Sequence, residues 1–494
     1  KHIRTRNRYS ATSVDQLPHH LISLWLFGHK LMFPIPDIDR TDYFLMIGAN
    51  PVASNGSIWT VPDVRKRIKS LTERGGKLVV IDPRRTETAE LATAHHAIRP
   101  GADAALLLAM VHVLFRDDLV RTGHLTDFVD GIDEIRQAVE SYTPDWAASH
   151  TGMDETVITE LAHDFAGAGR AICYGRMGVS TQRFGTLCQW AIQVINVLTG
   201  NLDREGGSLF TLPAVDQVLG TSPGGFGRHT SRVRQLPEFD RELPVACLAE
   251  EITTPGEGKI RALFTGAGNP VLSTPAGDAL DDALEDLEFM VSLDPWINET
   301  TRHADVILPP TSPLEHDHYD LAFHVNAMRN TARFSEAVFE KPDGAMHDWE
   351  IFQGLGQRVA QALDLEVRKA VPPHVIIDQG LKAGPYGDNS DYKLSIEALQ
   401  RYFRFSKAEA KVAQAVFTQD NMQAAADSLN LSINTVRTHL RRIYEKANIS
   451  SQSELMRMLS SALRSELGGD SAIDIKPYLG NTGSLIKGSA FRRE

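Results

Sequence analysis

Four groups of residues in this 494-residue chain have types and spacings that can do chemistry. Asp82, Arg84 and Arg85 directly follow the apolar run KLVVI, so a carboxylate and two guanidinium forks stand where a strand would end. The forks suit a pyrophosphate, and an Asp-Pro turn with solvated arginines is the plain alternative. Arg228, His229 and Arg232 share a Gly/Pro-rich stretch, where they can hold an anionic substrate or simply make a basic loop. His19 and His20 are a proton relay near neutral pH or residues of a helix end. Near the far end, Ile433, Val436, Leu440 and Ile443 fall at helical spacing and leave Asn434, Thr435, Arg437, Thr438, His439, Arg441 and Arg442 on the other face. A helix with core on one side and hydrogen-bonding cations on the other can enter a major groove, or be one solvated face of a bundle.

These groups need elements to position them. YFLMIG (43–48) and KLVVIDP (77–83) flank the helix-like VPDVRKRIKSLTERGG, and strand, helix, strand implies a parallel sheet. With two further helical stretches and the strand AICYG (171–175), residues 1–215 are expected to form a doubly wound α/β lobe. Residues 216–256 read as a Gly/Pro-rich crossing, and IRALFTG, LEFMVSLD and ADVILPP build a second α/β lobe over 257–390. A linker (391–402), a small all-α domain (403–465) and a tail (466–494) follow. MIGANPVASN and FTGAGNPVLST echo one another. Either they are two unrelated turns, or two equivalent lobes each present a loop at the carboxyl end of a strand.

The hydrophobic share of 42% and charged share of 23% exclude collagen, wholesale disorder and a disulfide scaffold. Residues 401–464 hold ten Lys/Arg against five Asp/Glu and residues 465–494 balance, so the net −12 puts −17 on residues 1–400. An acidic body joined to a basic module implies different partners for the two. Cys173, Cys188 and Cys247 are too far apart for a CxxC site, and a reducing cytoplasmic setting is expected. The apolar stretch AALLLAMVHVLF is too short to span a bilayer, so no membrane association is expected. The chain begins at Lys1 rather than Met, and an upstream piece is expected.

In order along residues 1–385, TDYFLMIGANPVASN, VVIDPRRTETAELA, YGRMGVSTQ, VLTGNLDREGG, FTGAGNPVLS, INETTRHADVILPPTSPLE and GAMHDWEIFQGLG resemble the molybdopterin oxidoreductase family, of dimethyl sulfoxide reductase and formate dehydrogenase type. The resemblance implies two pterin guanine dinucleotides gripping one molybdenum or tungsten, hence two nucleotide-binding lobes. It also implies two-electron redox of a small substrate and an electron-transfer partner. By it, Asp82 accepts hydrogen bonds from a guanine edge, Arg84 meets pyrophosphate, and Asn50, Thr86, Gly178, Gly200, Asn201, Gly266, Asn269, Thr300 and Asp305 complete the cofactor contacts. For the glycines, turn geometry is a reading that holds alongside. Family members ligate the metal through Cys, selenocysteine, Ser or Asp shortly before the first strand. Ser13 is the candidate here, with Asp15 and Ser10 behind it, and Arg228 and His229 are the other catalytic candidates. No N-terminal cysteine cluster is present, so no iron–sulfur cluster is expected in this chain. The β-rich domain that family members carry after GLKAGPYGD does not follow here.

Residues 405–463, beginning FSKAEAKVAQAV, resemble instead the LuxR-type DNA-binding domain, a four-helix helix-turn-helix module. MQAAADSLN would cross the backbone, while Asn434, Thr435, Arg437, Thr438, His439 and Arg441 face double-stranded DNA and Arg442 and Ser451 its phosphates. TQDN stands where that family has glycine and small polar residues, and a homodimer contact is expected in the closing helix SSQSELMRMLSSAL. The combined expectation is a redox enzyme body fused to a transcription-regulator domain, or a regulator whose body is an inactive sensor or platform.

Overall fold

The computed structural model describes residues 5–366, 371–395, 398, 407–418, 422–447 and 455. The chain divides into two compact units, one of residues 1–211, 217–311 and 342–369, the other of 212–216, 312–341 and 370–494.

In the first unit, strand β1 (Ile35–Pro36) leads into a parallel sheet of β2 (Tyr43–Ile47), β3 (Lys77–Ile81), β4 (Ala94–His96) and β5 (Ala171–Gly175), in the order β4-β3-β2-β5. Every residue of β2 and β5 is buried, as continuous apolar runs in a sheet covered on both faces should be. One face carries Tyr43, Leu45, Ile47, Val79, Ile81 and Cys173 under the helices Asp103–Arg116, Glu155–Gly167 and Gly185–Leu198. The other carries Phe44 and Tyr174, whose rings meet Trp59 edge-on. β6 (Ser208–Leu209) returns antiparallel to β1.

The 216–256 stretch is more regular than a crossing. It holds an antiparallel hairpin of β7 (Phe226–Thr230) and β8 (Pro237–Phe239), then the helix Leu248–Thr253. A second parallel sheet comes next, β9 (Ala262–Gly266), β10 (Phe289–Leu293) and β11 (Val306–Ile307), in the order β11-β10-β9. One of its faces packs through Leu263 and Met290 on Leu248, Ile252, Leu280, Ala283 and Leu284.

Among the described residues, the second unit shows two cores. Ala214, Phe334, Ile377, Leu381 and Tyr386 form one beside the helix Pro373–Ala383. The other is made by the helices Lys407–Thr418, Met422–Ser428 and Ile433–Ala447, which bury Val412, Val416, Ala426, Val436, Leu440 and Ile443 together with Leu455. The closing helix expected over 450–463, and Ser451 with it, lie outside the described residues apart from Leu455. Among the described residues, no helix is long and apolar enough to cross a membrane.

Candidate functional site

The two parallel sheets end in loops of the same construction. At the carboxyl edge of the first, Asn50 follows β2 and its side-chain oxygen accepts both the amide (3.2 Å) and the hydroxyl (2.7 Å) of Thr88. The Thr88 hydroxyl in turn accepts the Val52 amide at 3.2 Å, and the Asn50 side-chain amide donates to Glu87 at 2.7 Å. At the second sheet, Asn269 follows β9, accepts the Thr300 hydroxyl at 2.7 Å and donates to Glu299 at 2.6 Å, while Thr300 accepts the Val271 amide at 3.1 Å. Each neighbouring strand ends in Asp-Pro. Asp82 accepts the Arg84 amide at 2.9 Å, and Asp294 accepts the Trp296 amide at 2.8 Å.

Each loop is therefore a cradle of one Asn, one Glu, one Thr and one strand-ending Asp. Asp82 leaves Oδ2 without a hydrogen bond among the described residues, an open acceptor at the strand end. Hydrogen bonds from its own backbone and from Asn50 hold the Glu87 carboxyl below the usual range, and its own backbone with Asn269 does the same for Glu299. The cradles differ in the residues just past each Asp-Pro. Arg84 and Arg85 are exposed in the first, with Arg84 3.4 Å from Glu87, and Trp296 and Ile297 are exposed in the second. Thr86 is buried and accepts the Ala89 amide at 3.1 Å, fixing the loop from inside.

Gly48 and Gly178 bring the ends of β2 and β5 together. Gly48 has φ +55°, and a Cβ there would stand 2.8 Å from the Val179 nitrogen, while one on Gly178 would stand 2.8 Å from the Gly48 Cα. The backbones touch, and the Gly178 amide donates to Gly48 at 2.9 Å. Beside this edge, Asp103 is buried at the start of its helix and accepts from Gln182 at 2.8 Å, and burial raises its carboxyl above the ordinary range.

Three expected cofactor residues lie at the opposite, amino-terminal edges. Asn201 accepts the Ala171 amide at 3.1 Å, where β5 begins. Gly200 beside it has φ +64° and sits against the Arg121 carbonyl. Asp305 accepts the Met290 amide at 2.7 Å near the start of β10. They pin strands, and the carboxyl-edge cradles form without them. Gly266 ends β9 with the Phe352 ring 3.7 Å from where its Cβ would be.

The residues before β2 meet the β7–β8 hairpin region. The Ser13 hydroxyl accepts the Val245 amide at 3.0 Å, and the Ser10 hydroxyl donates to Glu242 at 2.5 Å. Asp15 takes a 2.8 Å bond from Arg176, a buried cation whose other arm donates to Ser57 at 2.8 Å. Arg228 donates to the buried Glu238 at 2.8 Å, and His229 Nδ1 stands 4.0 Å from the same oxygen. Burial alone would raise the Glu238 carboxyl, but the Arg228 side chain and the Arg241 and Arg228 amides bring it below its ordinary value. His229 Nε2 is buried with no hydrogen-bond partner among the described residues. Arg232 donates to the Thr254 carbonyl at 2.8 Å, and its Nε stands 3.3 Å from the buried Glu251 carboxylate. His19 hydrogen-bonds Gly175 at 3.1 Å, and burial lowers it to about 3, so it is neutral near pH 7. His20 is bonded to the Lys30 carbonyl at 2.9 Å and is likewise lowered by burial.

Ligation by sulfur from this chain meets a physical obstacle, because all three cysteines are buried and burial pushes the Cys188 thiol up to about 12. Among the described residues no group of three or more His, Cys, Asp or Glu could hold a metal ion. Ahead of β2 the oxygen donors Ser10, Ser13 and Asp15 are each engaged by the protein itself.

In the helix Ile433–Ala447, Val436, Leu440 and Ile443 are buried and Asn434, Arg437, Thr438, Arg441 and Arg442 are exposed, with Thr435 and His439 partly so. Ser432 caps the helix by accepting the Thr435 amide at 3.1 Å. Lys446 at its far end reaches the buried Glu409 at 2.7 Å, tying it to the first helix of the module.

Sequence reading missed Glu87, Thr88, Asp103, Arg176, Glu238, Asp294 and Glu299. The signal for several was present, since IDPRRTET and LDPWINET repeat the same Asp-Pro and Glu-Thr at the same spacing.

Comparison with known proteins agrees with both halves. Residues 1–358 match the model of the molybdopterin oxidoreductase family, and residues 404–459 that of bacterial regulatory proteins of the luxR family. Formate dehydrogenase H of Escherichia coli is 29% identical over 342 residues, 66% of this chain and 46% of that protein. The assimilatory nitrate reductase catalytic subunit of Bacillus subtilis is 26% identical over 350 residues, 66% of this chain and 47% of that one. The chain thus spans about half the length of the curated relatives it matches. Acetylene hydratase from Pelobacter acetylenicus shares the fold, with a TM-score of 0.57 at 19% identity over 73% of this chain and 52% of that one.

Proposed function

The chain belongs to the molybdopterin oxidoreductase family, and from that premise we propose that its body is a two-electron oxidoreductase of formate dehydrogenase type, joined to a LuxR-family domain that binds double-stranded DNA. The cofactor is a molybdenum or tungsten bis-pterin guanine dinucleotide, held between doubly wound lobes at 1–215 and 257–390. A four-helix module at 403–465 reads the DNA.

The observation that supports this most is the duplicated cradle, because two dinucleotides need two equivalent places to sit and the same cradle is built on two stretches of sequence that echo one another. In this reading Asp82 and Asp294 each take a guanine edge, and Arg84 lies toward a pyrophosphate, with Arg85 beside it. Asn50 and Asn269 hold the loops open beneath. Ser13 is the metal ligand, since its hydroxyl accepts one hydrogen bond and keeps a second lone pair. When bound, the metal–pterin group supplies the two-electron centre. The chain's own part is to position it and to hold protons and substrate. Glu238 locks Arg228, and His229 offers a buried, unpaired Nε2 for a proton or an anionic oxygen.

The test is the content of the intact protein expressed in a cofactor-competent host. Metal analysis should find molybdenum or tungsten, and acid hydrolysis should release guanine nucleotide that falls in Asp82→Ala and in Asp294→Ala. Wild-type protein with neither metal nor guanine nucleotide sinks the reading.

A second reading has one observation in its favour: Arg228, Arg232 and the Ser13 hydroxyl are all engaged by the protein itself. In it the body is catalytically inactive and serves the DNA-binding domain as a sensor. Cofactor-loaded protein that turns over no formate or other small donor, yet binds DNA differently from cofactor-free protein, would favour it.

A further inference from the structure

In the first sheet β3 and β4 lie on one side of β2 and β5 on the other, so the winding reverses between β2 and β5. Open α/β sheets take their ligands at such a point, beyond the carboxyl ends of the strands. Arg176 stands there, as the first residue after β5, and it is 7% exposed. A guanidinium keeps its charge at any ordinary pH, so a buried one needs fixed acceptors. Its Nη1 donates to Asp15 and its Nη2 to the Ser57 hydroxyl, both at 2.8 Å. Ser57 lies in the loop beyond Asn50 and the helix Pro51–Ser54, and its φ of +60° is one that residues other than glycine seldom hold. Arg176 therefore fastens a strained turn on the cradle side and a carboxylate of the segment ahead of β2 on the other. That segment is held unevenly. Residues 8–15 make three bonds to residues 242–245: the Arg8 carbonyl accepts the Leu243 amide at 2.8 Å, the Ser10 hydroxyl donates to Glu242 at 2.5 Å, and the Ser13 hydroxyl accepts the Val245 amide at 3.0 Å. Among the described residues, their one hydrogen bond to the first sheet and its loops is that of Asp15 to Arg176.

We propose that Arg176 is a positioning residue that holds the Ser13 segment in register with the first cradle, gripping Asp15 with one arm and the Ser57 turn with the other. Asp15 is then a tether, its carboxylate given to the guanidinium. The tie itself stands on the protein alone, and only its consequence at the metal rests on the reading of Ser13 as metal ligand. When Arg176 is lost, residues 8–15 stay fastened to residues 242–245, while Asn50, Thr88 and Asp82 keep the bonds that build the cradle. The expected signature is selective: the placement of the segment changes, and with it the surroundings of the metal, whereas guanine nucleotide is retained.

The experiment uses the intact chain. Spin labels at Ala11→Cys and Lys66→Cys, two exposed positions, report the distance from the segment to the first lobe, and the three native cysteines are buried and stay unlabelled. In cofactor-free protein, double electron–electron resonance should give one narrow distance that Arg176→Met and Asp15→Ala each shift or broaden. Asp15→Ala breaks the bond from its accessible end, since that side chain is 33% exposed, and serves if Arg176→Met does not fold. Labels at Lys66→Cys and Thr156→Cys, both in the first lobe, should keep their distance in every variant. Arg170→Met, which breaks an ion pair with Asp42 at the other edge of the same sheet, should leave the segment where it is. In protein loaded with cofactor, Arg176→Met should keep its guanine nucleotide and change the paramagnetic resonance spectrum of the metal, and Arg176→Lys should move the spectrum back toward wild type. A label distance unchanged in both variants overturns the proposal. So does an unchanged metal spectrum, or nucleotide lost together with the metal, because Arg176 would then serve the cradle. Wild type that takes up neither metal nor nucleotide sinks the enzyme reading instead, and the label distances alone then decide the tie.

Discussion

Asn50 and Thr88 are joined twice through one oxygen, the carboxamide of Asn50 accepting both the backbone amide and the hydroxyl of Thr88. Removing that oxygen by Asn50→Ala leaves a buried hydroxyl and amide without an acceptor, at about 1–3 kcal/mol. A lowered urea midpoint is expected, with Asn269→Ala losing a comparable amount through Thr300. A neutral result at Asn269 would mean the second cradle does not bear on stability as the first does.

His19 gives the protein a pH dependence with a defined sign. Its folded value near 3 lies below the ordinary 6.5, so the unfolded chain takes up a proton there before the native one does. Stability from this group is full above about pH 6.5 and falls as pH drops toward 3, by about 2 kcal/mol between pH 7 and pH 5. Urea titrations at both pH values should show the wild type losing more than His19→Gln. Equal losses would mean the ring is not buried neutral.

Glu238→Ala is expected to cost more than Arg228→Ala. The first strips the carboxylate from Arg228 and from the Arg228 and Arg241 amides, whereas the second leaves Glu238 those two amides. The difference should be about 1 kcal/mol or more in a denaturant midpoint, and Glu238→Gln should recover part of it. The same variants report on function, because His229 shares the Glu238 oxygen.

On the DNA side, Arg437→Ala should weaken binding by about 1–3 kcal/mol and relax preference at one base position. Arg442→Ala should weaken binding to all sequences alike and lower the salt dependence by about one phosphate contact. Titrations with specific and scrambled duplexes at several salt concentrations separate the two. If both arginines behave alike, the helix is not oriented in the groove by these faces.

The fold was legible where chemistry repeats along the chain. Apolar runs ending in Gly, Asn-Pro or Asp-Pro gave the strands, and the spacing of Val436, Leu440 and Ile443 gave the helix Ile433–Ala447 with its buried side. The cradles were only half legible. Asn50 and Asn269 announced themselves through the Pro beside each, but Thr88 reaches Asn50 from a loop beyond another strand, a pairing that no local pattern encodes. Where Asn201 and Asp305 sit was not legible, because a polar residue beside a strand looks the same at either end, and only the parallel register shows which edge it occupies. The hairpin within 216–256 was hidden for a different reason. Its strands are short, and what anchors them is the buried carboxylate of Glu238, a polar residue that no hydrophobic period would select.

The contact between Gly48 and Gly178 sets a limit on how this edge of the sheet can change. Its walls there are bare main chain, already as close as two backbones come, so even one methyl group on either side must force the strands apart. Innovation at this edge is therefore confined to the loops above it. The exposed residues past each Asp-Pro, Arg84 in one lobe and Trp296 in the other, have room that the floor between β2 and β5 lacks.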